Sequence, residues 1–279
     1  MSVDTLGEAA KGAAWRAGHD AGPARRWLTP RRRELAISVF SPLAVLAAWE
    51  GLARGGLLDA RFFPAPTSIV GTFVTLLASG ELGRHVAASA TRLVAGYLLG
   101  AIPALLLGLV LGLAPLARAF ATPIIFSLYP IPKVAILPLI MLIFGLGELS
   151  KWVTVAIGVF FLVLVPTMAG VLSIDRIYFD VARNFNASRL DLYGRVVWPG
   201  ALPHIVTGLK VASGVALIVL VTAEFVGAPA GVGVLIFESW QVFAIERLYA
   251  GLITISCIGY VLSFVFDELE RRLIPWRGR

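Results

Sequence analysis

Residues 180–203 read DVARNFNASRLDLYGRVVWPGALP. The stretch is polar, yet a long apolar run stands on either side of it, and that contrast decides the fold class. It also has an internal order. A short helix is expected to end near Asn186, a second to begin at Ala187–Ser188, and Pro199 and Pro203 to stop it. Asn186 is among the few non-glycine residues that tolerate a left-handed turn. Ser188 can cap the helix that follows, whereas Asp180 suits a helix only near its positive, N-terminal end. Leu190, Leu192, Val196 and Val197 give the second helix an apolar face. Proline cannot donate a backbone hydrogen bond and disfavours helix in the residue before it, so Pro199 is read as its end. Helix, bend, helix is the result, and two uses fit it equally: a docking element, or an amphipathic hairpin lying on a membrane surface.

The chain around this stretch is built for lipid. Of 279 residues 58% are hydrophobic and only 15% are charged, well below the quarter or so usual in soluble domains. Residues 1–33 are rich in Ala, Gly and Arg and are read as a disordered basic tail. Residues 34–279 then form a transmembrane domain, with the polar loop at 174–204 inside it. Six apolar runs follow the tail, at about 35–53, 87–113, 119–144, 152–173, 205–227 and 248–268. Each is near the ~20 residues that span a bilayer as a helix. The expected fold is therefore all-α, a polytopic membrane protein with six transmembrane helices. Between the first two runs, Val70, Phe73, Val74 and Leu77 recur at helical spacing, which suits an amphipathic helix at the membrane interface.

The net charge of +7 is read by location, since it does not here point to nucleic acid. With the N-terminus inside, the tail, Arg118, the polar loop (Arg176, Arg183, Arg189, Arg195) and the C-terminus (Arg271, Arg272, Arg277, Arg279) hold most of the positive charge. The outer side has Arg54, Arg61, Arg84, Lys151 and Arg247. The bias places both termini and the loop at 174–204 in the cytoplasm. Three His and one Cys do not make the usual metal-ligand cluster, so neither a metal site nor a catalytic residue is expected. No Gly-Lys-Ser/Thr phosphate loop occurs, so the chain is not expected to be an enzyme.

At this point the residues carry a resemblance. The polar loop resembles the EAA motif of ABC importer permeases, in which E-A-A, three residues, G, nine residues and I-x-L-P form cytoplasmic coupling helices. Asp180, Val181 and Ala182 stand at E-A-A, Asn186 at the glycine, and Val196, Trp198 and Pro199 at I, L and P. From about residue 62 onward the chain is similar to the nitrate/sulfonate/taurine branch of these permeases. PAPTSIV, SATRLVAGYLLG, ALPHIVTGLKVASG, AEFVGAPAGVG and LERRLIPWR carry the likeness, and PIPKVAILPLIMLIFGLGELSK is its most specific string. Val165–Pro166 departs from the more polar pair common there.

The resemblance implies a type I importer permease in the bacterial inner membrane, a second copy of the chain as partner, and a binding protein that delivers solute. It implies separate ATPase subunits that hold the ATP and Mg, with no cofactor in this chain. Asp180, Ala182, Asn186, Ala187 and Ser188 would form the ATPase-docking surface, and Val196, Pro199, Leu202 and Pro203 would fix its angle to the fifth helix. Substrates in that branch include nitrate, alkyl sulfonates, taurine and some vitamin precursors. The rival reading is a stand-alone secondary transporter or channel, which needs a buried acid as relay; Glu224 and Glu50 are the candidates.

Pathway residues are sought where apolar runs are interrupted. Pro123, Pro130, Pro132 and Pro138 crowd the third run with Lys133 among them. A broken helix at membrane depth survives only where protein or a water-filled cavity satisfies the freed backbone groups. Pro130, Pro132 and Lys133 are therefore pathway or gating candidates, with snorkelling of Lys133 to the inner interface as the plainer reading. Glu224, late in the fifth run, is a candidate because a membrane carboxylate is by default a functional hypothesis; its plainer reading is an ion pair with Arg92. Gly96/Gly100 and Gly108/Gly112 are two small-xxx-small pairs, read as packing within one chain.

Overall fold

A computed structural model describes residues 30–276. The basic tail expected at 1–33 lies outside the described residues except for its last four positions, where the backbone is already helical from Pro30. The chain divides into two units, residues 1–58 and 59–279. The first contains α1 (Pro30–Arg54), which carries the first apolar run. Every described element is helical.

The second unit begins with α2 (Pro66–Ala78), started by Pro66 in its first turn. Ile69 and Leu76 are its buried residues, and Phe73 packs against the cluster of Leu76, Leu82, Leu235 and Ala250. Of the stripe expected to matter, Val70, Val74 and Leu77 are more than half exposed. The helix is thus apolar on both faces, as an interfacial helix beside lipid can be.

The membrane core is made by α3 (Glu81–Leu113), α6 (Glu148–Leu172), α9 (Trp198–Glu224) and α11 (Ile245–Leu273). Among the described residues four helices are long and apolar enough to cross a membrane, the α9 span being measured from Arg189. A fifth crossing is made by α4 (Pro115–Leu128) and α5 (Leu137–Phe144) if that pair, bent by 85°, counts as one span.

The centre is the face of α3 against α6, and α9 packs on the other side of α6. Val155, Val159, Val163 and Leu164 of α6 are fully buried between Ala104 of α3 and Ala212, Ala216 and Leu220 of α9. The glycine pairs of α3 explain the closeness. A Cβ on Gly96 would lie 2.7 Å from Val155 Cβ, and one on Gly108 would lie 2.7 Å from Thr167 Cβ. A Cβ on Gly100 would lie 2.8 Å from Ala156 Cα. Small residues let backbones approach where no hydrophobic force separates protein from lipid, and all four glycines serve this one intrachain seam. Arg118, one turn into α4, donates to the C=O groups of Leu111 (3.1 Å) and Gly112 (2.9 Å), closing the C-terminal end of α3.

The proline-rich run breaks as expected. After Leu128 the chain passes through Pro130 and Pro132 to a 3-10 turn at Lys133–Ile136, then enters α5 with Pro138 in its first turn. Pro123 does not break α4 and lies within it. The carbonyl groups freed at the break are met from inside the chain. Lys133 Nζ donates to Leu128 O (3.2 Å), Tyr129 O (2.8 Å) and Ile131 O (2.8 Å), and lies 5.0 Å from the centre of the Phe161 ring. Lys133 therefore caps its own broken helix and gains a cation–π contact.

Candidate functional site

The polar loop is built from two short helices and a bend. α7 (Arg176–Asn184) starts at Asp175, whose carboxylate accepts from the Ile177 N–H at 3.0 Å. This cap, rather than Asp180, is what the helix uses; Asp180 stands mid-helix and exposed. α7 ends in a paired C-cap: Asn186 N–H donates to Arg183 O and Ala187 N–H to Ala182 O, both at 2.9 Å. That six-to-one and five-to-two pattern needs a left-handed residue at its centre, and Asn186 supplies it with φ of 50°. The expectation placed on Asn186 at the position of a glycine is realised in the backbone.

Ser188 then caps α8 (Arg189–Leu192). Its hydroxyl accepts from the Asp191 N–H at 3.1 Å and donates to the Asp191 carboxylate at 2.6 Å, and Arg195 lies 3.3 Å from that carboxylate. Beyond it the structure corrects the sequence reading. Pro199 does not stop the second helix. A π-turn at Tyr193–Val197 joins α8 to α9, with Pro199 in the first turn of α9 and Pro203 inside it. The wider turn, in which Trp198 N–H reaches Tyr193 O, accommodates a proline that would otherwise crowd the carbonyl one turn back.

The residues singled out fall in two groups. Asp180, Asn186, Ala187 and Ser188 are exposed at the bend, with Ala182 half-buried beneath them. Val196, Pro199 and Pro203 are half-buried at the root, where Leu202 is buried with Val206 and Ile274. The expected apolar face of the second helix splits. Val197 is fully buried and Leu192 packs on the Val171, Ala201 and Ile205 cluster, whereas Leu190 is 85% exposed. Phe185 is 83% exposed, and Ile177 and Tyr178 on α7 are exposed too. Sequence reasoning passed over Phe185, Ile177 and Tyr178. Their signal was available as large apolar side chains inside a stretch otherwise polar enough to leave the membrane.

Glu224 stands in other surroundings. It is 1% exposed, and its oxygens accept from Ser89 Oγ (2.8 and 2.9 Å), Arg92 Nη1 (2.8 Å) and Gly233 N–H (2.9 Å). Arg92 is 3% exposed and forks onto Glu148 at 2.6 and 2.7 Å. The pairing of Glu224 with Arg92 is present; the contribution of Glu148 was not foreseen, because an acid at the start of α6 reads simply as a favourable helix N-terminus. Lys133 and Glu224 are not brought into contact: each is saturated by its own partners.

The family model for binding-protein-dependent transport system inner membrane components matches residues 88–277, a range that holds both the loop and the buried ion pairs. The chain belongs to that family. It is an ABC transport permease, a multi-pass inner membrane component. The taurine transport system permease protein TauC of Escherichia coli is 31% identical to it over 258 residues, covering 91% of this chain and 94% of that one. A Bacillus subtilis protein named for aliphatic sulfonate transport, SsuC, is 34% identical over 237 residues, covering 85% and 86%. Among solved structures, the methionine ABC transporter MetNI in an inward-facing conformation matches with a TM-score of 0.62 at 18% identity. The match covers 69% of this chain and 95% of that one. The permease thus has the type I importer fold.

Proposed function

We propose that this permease moves a small sulfonate-type anion, taurine among the candidates, inward across the membrane by alternating access, as one of two copies in a complex with two ATPase subunits. A binding protein delivers the solute to the side poor in Lys and Arg. ATP and Mg are held, and ATP is hydrolysed, by the ATPase partner. Both termini and the loop at 174–204 lie in the cytoplasm, and the ATPase seats on the tip of that loop. The names of the relatives TauC and SsuC support the substrate class.

The observation that carries the docking assignment is the pair of large exposed apolar side chains, Phe185 and Leu190, on either side of a bend fixed by the backbone bonds of Asn186 and Ala187. A side chain of that size in water gains free energy only when a partner covers it, and a rigid bend loses little entropy on being covered. Packing at the root, through Leu202 and Val197, makes the loop and α9 one lever, so movement of the seated ATPase reaches the membrane helices.

The test is affinity between the purified permease and its ATPase subunit in mild detergent. Phe185→Ala is expected to weaken binding about 30-fold, a hot-spot loss of ~2 kcal/mol. Asn186→Gly should bind as the parent does, because glycine adopts the same backbone. Asn186→Val should weaken binding and destabilise the loop by about 1–2 kcal/mol, because a β-branched residue is strained there. Unchanged affinity in both Phe185→Ala and Asn186→Val would remove the docking assignment. The stand-alone transporter reading finds no support: of its candidate acids, Glu224 is tied to Ser89, Arg92 and Gly233, and Glu50 is paired with Arg54.

A further inference from the structure

The segment between α9 and α10 (Val232–Gln241) is held by side chains at three of its seven residues, Gly227, Ala230 and Gly231. Lys151, fully buried at the start of α6, donates to Leu146 O (2.8 Å) and Gly147 O (3.1 Å) and reaches across to Gly227 O (3.4 Å). Arg92 Nη1 donates to Ala230 O as well as to Glu224. His85 Nδ1 faces both the C=O of Gly231 (2.7 Å) and its N–H (3.0 Å). Val232 N–H donates to Ser89 Oγ (2.8 Å) and Gly233 N–H to Glu224 (2.9 Å), so two of the orphan donors at the start of α10 are satisfied. His85, Ser89 and Arg92 are spaced i, i+4 and i+7, one stripe of α3. The backbone cooperates: Gly227 and Gly231 have φ of 63° and 149°, and a Cβ on Gly231 would meet the Glu224 carboxylate.

This is more fastening than a seven-residue connection needs to stay folded. Two cations and one carboxylate from three spans, Arg92, Lys151 and Glu224, are taken out of water, which is costly unless every group is paired; Glu148 joins them from a half-exposed position. Lys151, Arg92 and His85 each bond backbone atoms of this one segment, and they lie on the side that carries few Lys and Arg.

We infer that Arg92 is a positioning residue that, through Glu148 and Glu224, locks the ends of α3, α6 and α9 and the start of α10 into one rigid body, which carries the signal of a docked, loaded binding protein toward the ATPases. The inference rests on the proposed importer reading. Glu224 serves as the cap of α10 and the anchor of Arg92. Bending during the cycle then falls elsewhere, at the proline break between α4 and α5, where the hydrogen bonds come from one side chain, Lys133, to carbonyl groups of its own segment.

The experiment uses the complete complex in lipid nanodiscs and measures ATP hydrolysis with and without solute-loaded binding protein. Arg92→Lys keeps the charge and loses the fork, and Glu148→Gln keeps one acceptor at a half-exposed position, so both are chosen to fold. Stimulation by loaded binding protein is expected to fall about tenfold in each, the size of a typical coupling between sites. The unstimulated rate should remain that of the parent and the thermal midpoint should fall far less than in Arg92→Ala, a split that a merely structural residue would not give. Full stimulation in both Arg92→Lys and Glu148→Gln would overturn the inference and leave the importer reading intact. A parent complex that shows no stimulation at all would overturn both.

Discussion

Gly100→Val is expected to yield no monodisperse permease after detergent extraction. The position lies in the middle of the α3–α6 seam, where a Cβ would stand 2.8 Å from Ala156 Cα. What it meets is backbone, so no side chain can turn aside, and the two helices would have to separate along their length. Overpacking of a well-filled core costs about 1–3 kcal/mol where side chains can adjust, and more where they cannot. Separation would also undo the contacts at Gly96, Gly108 and Gly112, which lie on the same stripe. Gly214→Ala is the matched control: it sits inside α9 with nothing within 4 Å of the added Cβ, and alanine favours helix over glycine by roughly 1 kcal/mol. Fluorescence-detected size exclusion of the two variants separates close approach from a general intolerance of glycine replacement. A monodisperse Gly100→Val peak at the parent's yield would show that the seam is not as tight as the structure has it.

Arg92→Ala is expected to be nearly as damaging for a different reason. It leaves Glu224 buried with no counter-charge and frees the Ala230 carbonyl and the half-exposed Glu148. Removing one partner of a buried pair costs about 3–5 kcal/mol, chiefly because the other charge stays buried. Arg92→Ala combined with Glu224→Gln should recover part of the yield. The amide keeps an acceptor for Ser89 and Gly233 while the uncompensated charge disappears. Thermal unfolding of parent, single and double variants measures the recovery. A double variant no better than the single would mean that shape, not charge, is what Arg92 contributes.

How much of this was legible beforehand depends on the range of the interaction involved. The bend of the loop was: Asn186 needs only its own backbone preference, and Ser188 needs only its neighbour three residues on. The break in the third apolar run was legible for the same reason, since proline acts on its own residue and the one before. Pro199 was misread because the same local rule has two solutions. It can end a helix or sit in the first turn of one, and the burial of Val197 and Leu202 against distant residues chose the second.

Lys133 was placed by hydropathy at an interface, but the carbonyl groups that hold it exist as acceptors only once the helix is broken in three dimensions. Arg92, Glu148 and Glu224 are separated by 56 and 132 residues from Arg92 to each partner, beyond any periodic pattern. Local chemistry in the sequence thus determined the helical membrane architecture, the bend and the broken span, because each follows from forces acting over a few residues. The tertiary structure alone decided which charges share a buried site, which glycines meet a backbone, and which apolar side chains remain uncovered, because those depend on what the folded chain brings alongside.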